Sequence, residues 1–76
     1  MYTVFYLENH EHIALCDLLK AAGLAESGGA AKSAIAAGEV SRNGETETRK
    51  TAKIRAGERI EFAGSSIEVR VGHDAG

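Results

Sequence analysis

This 76-residue chain has no tryptophan, one cysteine and only four aromatic side chains. The lone thiol, Cys16, excludes an internal disulfide and cannot by itself found a zinc site of cysteine spacing. No apolar run approaches the ~20 residues of a membrane-spanning helix. Met1–Leu7 lacks the basic lead and cleavage site of a secretory leader. A reduced, soluble, cytoplasmic protein is therefore expected. Large apolar side chains are also scarce: 13 of the 33 hydrophobic residues are alanine, leaving twenty larger ones. That supply supports one thin core, hence one small domain. Residues 1–72 are expected to form it, with 73–76 as a frayed tail.

What is present divides into helical and strand periods. "YTVFYL" (Tyr2–Leu7) is aromatic and β-branched and predicts a strand. Asn9 is a candidate helix cap ahead of "HIALCDLLKAAG", where Leu15, Leu18, Leu19 and Ala22 recur at helical spacing. Gly23 stands where a glycine would stop that helix. A second, alanine-rich helix is expected from an N-cap at Ser27 to a stop at Gly38, the two packing antiparallel. Ala31, Ala34 and Ile35 would face inward, with Lys32, Ser33 and Ala36 outside.

Beyond Gly38 the period becomes two. Asn43-Gly44 is a strong hairpin-turn signal, because a two-residue turn of this type needs positive φ at both positions. "ERIEFA" and "SIEVRV" alternate around a turn placed at Gly64-Ser65, with Ile60, Phe62, Ile67, Val69 and Val71 on one face. Pairing Phe62 with Ile67 would set Glu61 opposite Glu68. The pattern predicts an α+β fold: two packed helices against a small, mostly antiparallel sheet, the first strand beside the C-terminal hairpin. The expected core is Val4, Tyr6, Leu15, Leu18, Leu19, Leu24, Ala31, Ile35, Val40, Ile54, Ile60, Phe62, Ile67 and Val69.

Enzymatic chemistry finds little support. His12 and Cys16 have the i, i+4 spacing of a ligand pair, but a metal site needs further donors, and only His10 and distant His73 remain. The plainer reading is exposed histidines ahead of a helix that buries a small thiol. "SGGAAKS" fails as a phosphate-binding P-loop, since Ala31 precedes Lys32 and Glu26 replaces the earlier glycine. Ser27, Gly28 and Gly29 still leave a helix N-terminus able to receive one phosphate, or else simply allow close helix packing. No serine or cysteine nucleophile has a partner constellation. Glu45 and Glu47 look like solvated carboxylates. No cofactor is implied.

Charge is the informative feature. The chain is acidic overall at −2, yet residues 38–59 carry six of its nine bases against four acids. A tight hairpin would bring Arg42, before the turn, near Arg49, Lys50 and Lys53 beyond it, with Lys32 projecting from the preceding helix. An ordinary solvated face has such a composition too. With no aromatic in the segment, base stacking is poorly supplied there, and phosphate and shape recognition of RNA is the better fit.

The order of these parts resembles the S4 RNA-binding domain family. That family runs as L-x-x-x-L-x-x-x-G, a serine-started helix with small residues, then G-x-V-x-V-N-G. Leu15, Leu19, Gly23, Ser27, Ala31, Ile35, Gly38, Val40, Asn43, Gly44, Gly57 and Ile60 fall in step, over about two-thirds of the chain. The short length, the N-terminal strand and "ETRK" look most like the stand-alone, YbcJ-like branch. Two departures stand out: Ser27-Gly28 where many members have Ser-Arg, and Ser41-Arg42 where the residue before Asn-Gly is commonly apolar. The resemblance implies an S4-like fold (the alpha-L motif) and non-catalytic binding of structured RNA, ribosomal or transfer-RNA-like, in association with the ribosome. It carries the RNA-contacting role to Lys32, Asn43, Arg49, Lys50 and Lys53, to Arg42, and to the helix start at Ser27, Gly28 and Gly29. A protein-interaction module on the same scaffold is the competing expectation, motivated by the net negative charge and the missing arginine at position 28.

Overall fold

The computed structural model describes residues 1–72; the expected tail, 73–76, lies outside the described residues. In chain order the elements are β1 (Tyr2–Tyr6), β2 (Ile13–Ala14), α1 (Leu15–Ala21), α2 (Gly28–Ala36), β3 (Val40–Arg42), β4 (Glu45–Thr46), β5 (Lys53–Ile54), β6 (Arg59–Phe62) and β7 (Ser65–Arg70). Five strands form one sheet in the order β1-β7-β6-β3-β4, while β2 and β5 form a separate two-stranded ribbon. Among the described residues, only β1 and β7 run parallel. The α+β architecture expected from the sequence is the one observed, with β1 beside the C-terminal hairpin.

Leu15, Leu18 and Leu19 of α1 meet Ala31 and Ile35 of α2, and Val40, Ile54, Ile60, Ile67 and Val69 close the core from the strands. Leu24 and Phe62 pack at its margin, partly buried. The N-terminal strand is a correction. Phe5 and Leu7 turn toward the core, not Val4 and Tyr6. Bulky residues on both faces of this edge strand leave alternation uninformative, and Leu7 is drawn in by its amide's hydrogen bond to the Arg70 carbonyl at 2.9 Å.

Helix α1 departs from expectation at its start. Asn9 does not cap it; the N-cap is Ala14, which contributes no side-chain bond. The amides of Leu15 and Cys16 instead donate to the carbonyls of Ala52 and Lys50, at 2.9 and 3.1 Å. Helix termini need partners for their first N–H groups, and here a distant loop supplies them. Helix α2 begins as expected, with Ser27 Oγ accepting from the Ala30 amide at 3.1 Å. Gly23 and Gly38 follow the two helices with φ near +79° and +78°, as C-terminal stops.

The final hairpin also needs correcting. Ala63 and Gly64, with positive φ of 54° and 81°, form its two-residue loop. Ser65 therefore opens β7, and the register pairs Ile60 with Ile67 and Arg59 with Glu68. The expected Glu61–Glu68 repulsion disappears: an opposite-charge pair faces across the ladder instead. Val71, assigned to the inner face, is exposed.

The Asn43-Gly44 turn forms with φ of 52° and 88°. A Cβ on Gly44 would touch nothing within 4 Å, so any cost there is backbone strain alone. Gly44→Val is expected to destabilise the domain by about 2 kcal/mol, because a β-branched residue resists left-handed backbone. Thermal melts check this, with Gly44→Asn losing much less, since asparagine tolerates that conformation.

Candidate nucleic-acid interface

The positively charged segment is organised around two carboxylates. Glu47, nearly buried, follows β4, and its amide donates to the Val40 carbonyl at 2.9 Å, which turns its side chain inward. Arg49 returns to it three times, from its backbone N–H, Nε and a terminal nitrogen, each at 3.1 Å. From the opposite side Arg42 donates to Glu47 at 3.1 Å and to both oxygens of Glu58 at 2.6 and 3.0 Å. Arg42 also donates to the Lys53 carbonyl at 3.0 Å. Glu58 in turn accepts from the Arg55 amide at 2.7 Å and from the Asn43 side chain at 3.2 Å. Asn43 completes the lattice by accepting from the Arg59 amide at 2.9 Å.

These contacts divide the site's arginines by role. Arg42 keeps 22% of its side chain exposed and has nearly all its N–H groups engaged; Arg49 leaves 74% exposed. The Glu47 grip on Arg49 uses one edge of the guanidinium, so the remaining donors face solvent in a fixed direction. Lys50 and Lys53 are exposed, and neither pairs with a carboxylate among the described residues. A shallow depression of about 450 Å³ lies between Arg42, Arg49, Thr51 and Lys53. The loop is held from below by the bonds from Leu15 and Cys16 and by the β2–β5 ladder, which pairs Ala14 with Lys53.

The other sequence-derived candidates sit elsewhere. Lys32 is exposed on α2, and no ion pair or hydrogen bond joins it to the loop among the described residues. Ser27 caps that helix, and Gly28 and Gly29 leave its first turn open. A Cβ on Gly28 would meet nothing within 4 Å, and one on Gly29 only Ser27 Oγ at 3.9 Å. Close helix packing does not explain these glycines. His10 is exposed as expected, whereas His12 is half-buried, and Cys16 is buried.

Glu47 and Glu58 were not legible as site residues; Glu47 in particular looks solvated in the sequence. The available signal was a carboxylate spaced between two arginines across a tight turn. Its chemistry is now distinct. The Arg49 side chain, with the Arg49 amide and Arg42, holds the Glu47 carboxyl down to about 2 from an ordinary 4.5, against the opposing effect of burial. Glu58 is lowered too, chiefly by Arg42. A depressed carboxyl stabilises the fold above its unfolded value and loses that contribution on acidification. Stability should therefore be level above pH ~5 and fall between pH ~4.5 and ~2 as Glu47 protonates, by about 1–2 kcal/mol after solvent screening. Urea melts across that range test this, and Glu47→Gln should flatten the acid limb.

A strand-flanked helix pair carrying an Asn-Gly hairpin and a pinned basic loop defines a recognisable domain class. The S4 domain family model matches residues 5–70, and the chain belongs to that family. It is 54% identical over 65 residues to the Escherichia coli (strain K12) protein named "Putative RNA-binding protein YbcJ", covering 86% of this chain and 93% of that protein. The Shigella flexneri protein named "Uncharacterized protein YbcJ" matches to the same extent. The solution structure of YbcJ from E. coli, described as revealing an alpha-L motif involved in RNA binding, superposes with a TM-score of 0.70. That match has 52% identity and covers 88% of this chain and 85% of the other.

Proposed function

We propose that this chain is a non-catalytic RNA-binding protein that grips structured RNA by its phosphates. The observation that carries the reading is the Arg49–Lys53 loop: three exposed cations on a backbone fixed by Glu47, by Arg42 and by the start of α1. Preorganised donors lose little freedom on meeting a phosphate, which is where a small domain needs its advantage. The name of the E. coli relative and the motif described for its structure support the same reading. Lys32 and the open first turn of α2 supply additional phosphate contacts in this proposal, while Arg42 and Asn43 hold the platform.

Ribosomal or transfer-RNA-like substrates, with ribosome association in the cytoplasm, are the proposed setting, because curved, folded RNA presents the phosphate geometry that such a compact patch can span. The rival protein-interaction module would want a contiguous apolar surface. The exposed large apolar residues among those described are Met1, Tyr2 and Val71, and the β1–β7 register puts Val71 at the far end of the strand pair from the other two.

Each phosphate neutralised releases counterions, so about four contacts should give a log–log salt slope of roughly −3 to −4. Anisotropy titrations of a panel of RNA stem-loops at several salt concentrations measure it. Salt-independent affinity, or none at low salt, would sink the proposal.

A further inference from the structure

A depression of about 590 Å³ is lined by Ile13 and Ala14 of β2, the strand that pairs with β5 at the end of the basic loop. Its lining mixes apolar Phe5, Ile13 and Ala14 with polar His10, His12 and Asp17. We infer that this depression receives one unpaired, amino-bearing nucleobase of the RNA whose phosphates the loop holds. The inference rests on the RNA-binding reading and adds to it a base-recognising subsite.

Three observations converge on that occupant. The first is position: Ala14 lines the depression and pairs directly with Lys53, and one strand spacing, ~4.8 Å, separates them. The backbone of Cys16, next to lining residue Asp17, is bonded to Lys50. A nucleotide can therefore present its phosphate to the lysines and its base to the depression together. The second is charge. Asp17 pairs with no cation among the described residues, and Glu8 also lines the depression. Carboxylates repel a phosphate and attract the amino donors of adenine, guanine or cytosine. The third is an unmet hydrogen bond. His12 Nδ1 is buried with no partner. His12 lines the depression, and rotation of its ring on binding would let that nitrogen pair with a base edge. Phe5, partly buried against the core, also lines the depression and adds an aromatic contact that the charged segment itself lacks.

The test uses an RNA hairpin of fixed stem with a single unpaired adenosine moved through each loop position, compared with the same hairpins made abasic or carrying uridine there. Wild-type protein is expected to bind the best-placed adenosine about tenfold more tightly than its abasic counterpart. Uridine, with no amino group, should recover little of that gain. Asp17→Asn, at an exposed position, should remove most of the adenosine advantage, while abasic-hairpin affinity holds or rises slightly because a carboxylate that repels phosphate is gone. His12→Ala should likewise remove most of that advantage, and a thermal melt shows whether it folds. Equal affinity of wild type for adenosine and abasic hairpins at every position overturns the inference while leaving phosphate binding intact. Failure to bind any hairpin at low salt overturns the RNA-binding reading with it.

Discussion

Arg42→Ala should unfold this domain more readily than any single change to its exposed charges, lowering stability by about 3 kcal/mol. The guanidinium bridges Glu47, Glu58 and the Lys53 carbonyl, and it ties the hairpin to both the basic loop and the β5–β6 turn. Its removal leaves two inward-facing carboxylates with fewer partners, and breaking such a pair from one side costs 3–5 kcal/mol when fully buried. The side chains here are 11–22% exposed, which places the effect at the lower end. For a domain of this size the midpoint should drop by about 12–24 °C. Arg42→Lys tests the geometry separately: a lysine keeps the charge but cannot bond Glu58 through two nitrogens, so it should recover only part of the loss. A wild-type melt for Arg42→Ala would show that the network adds nothing to stability.

The opposite behaviour is expected of Lys50→Ala/Lys53→Ala. Both side chains are exposed and unpaired among the described residues, so the melt should stay near wild type. RNA affinity should fall about thirtyfold at low salt, taking about 1 kcal/mol for each solvent-exposed phosphate contact. The salt slope should shrink by roughly two, and the loss should be uniform across RNA sequences. Arg49→Ala is less clean, because Arg49 is the leading cause of the low Glu47 value. It should weaken binding and also shift the acid limb of stability. Unchanged affinity in the double lysine variant would move the binding face away from this loop.

Local signals in the sequence were reliable where the fold uses local chemistry. Ser27 caps α2, Gly23 and Gly38 end the helices, and Asn43-Gly44 turns the first hairpin. The leucines at helical spacing are buried. Expectations failed where a distant segment does the work. Asn9 was the nearest capping residue in sequence, but carbonyls from the basic loop satisfy α1. The β2–β5 ladder is two residues long and joins the start of α1 to a loop beyond the hairpin, too short to leave a period. Glu47 looked solvated because the arginines at 42 and 49 read equally well as solvated charges, and only the folded turn closes them over it. The aromatics looked irrelevant to the charged segment, yet Phe5 borders the depression next to it. The basic cluster itself was legible from composition; the division of labour within it was not.

The bonds from Leu15 and Cys16 to the loop carbonyls make those two amides natural reporters. Their hydrogen-exchange rates depend on whether residues 50–52 are in place, so they sense loop opening from inside the protein. A ligand that stills the loop should slow exchange at both sites without touching them, whereas one that binds α2 alone should not. The same coupling acts during folding: the loop cannot be fixed before α1 has presented its open end, and α1 lacks its closing partners until the loop arrives. The two are therefore expected to order as one cooperative unit, late among the long-range contacts, and partly folded chains would offer no organised surface to a polyanion.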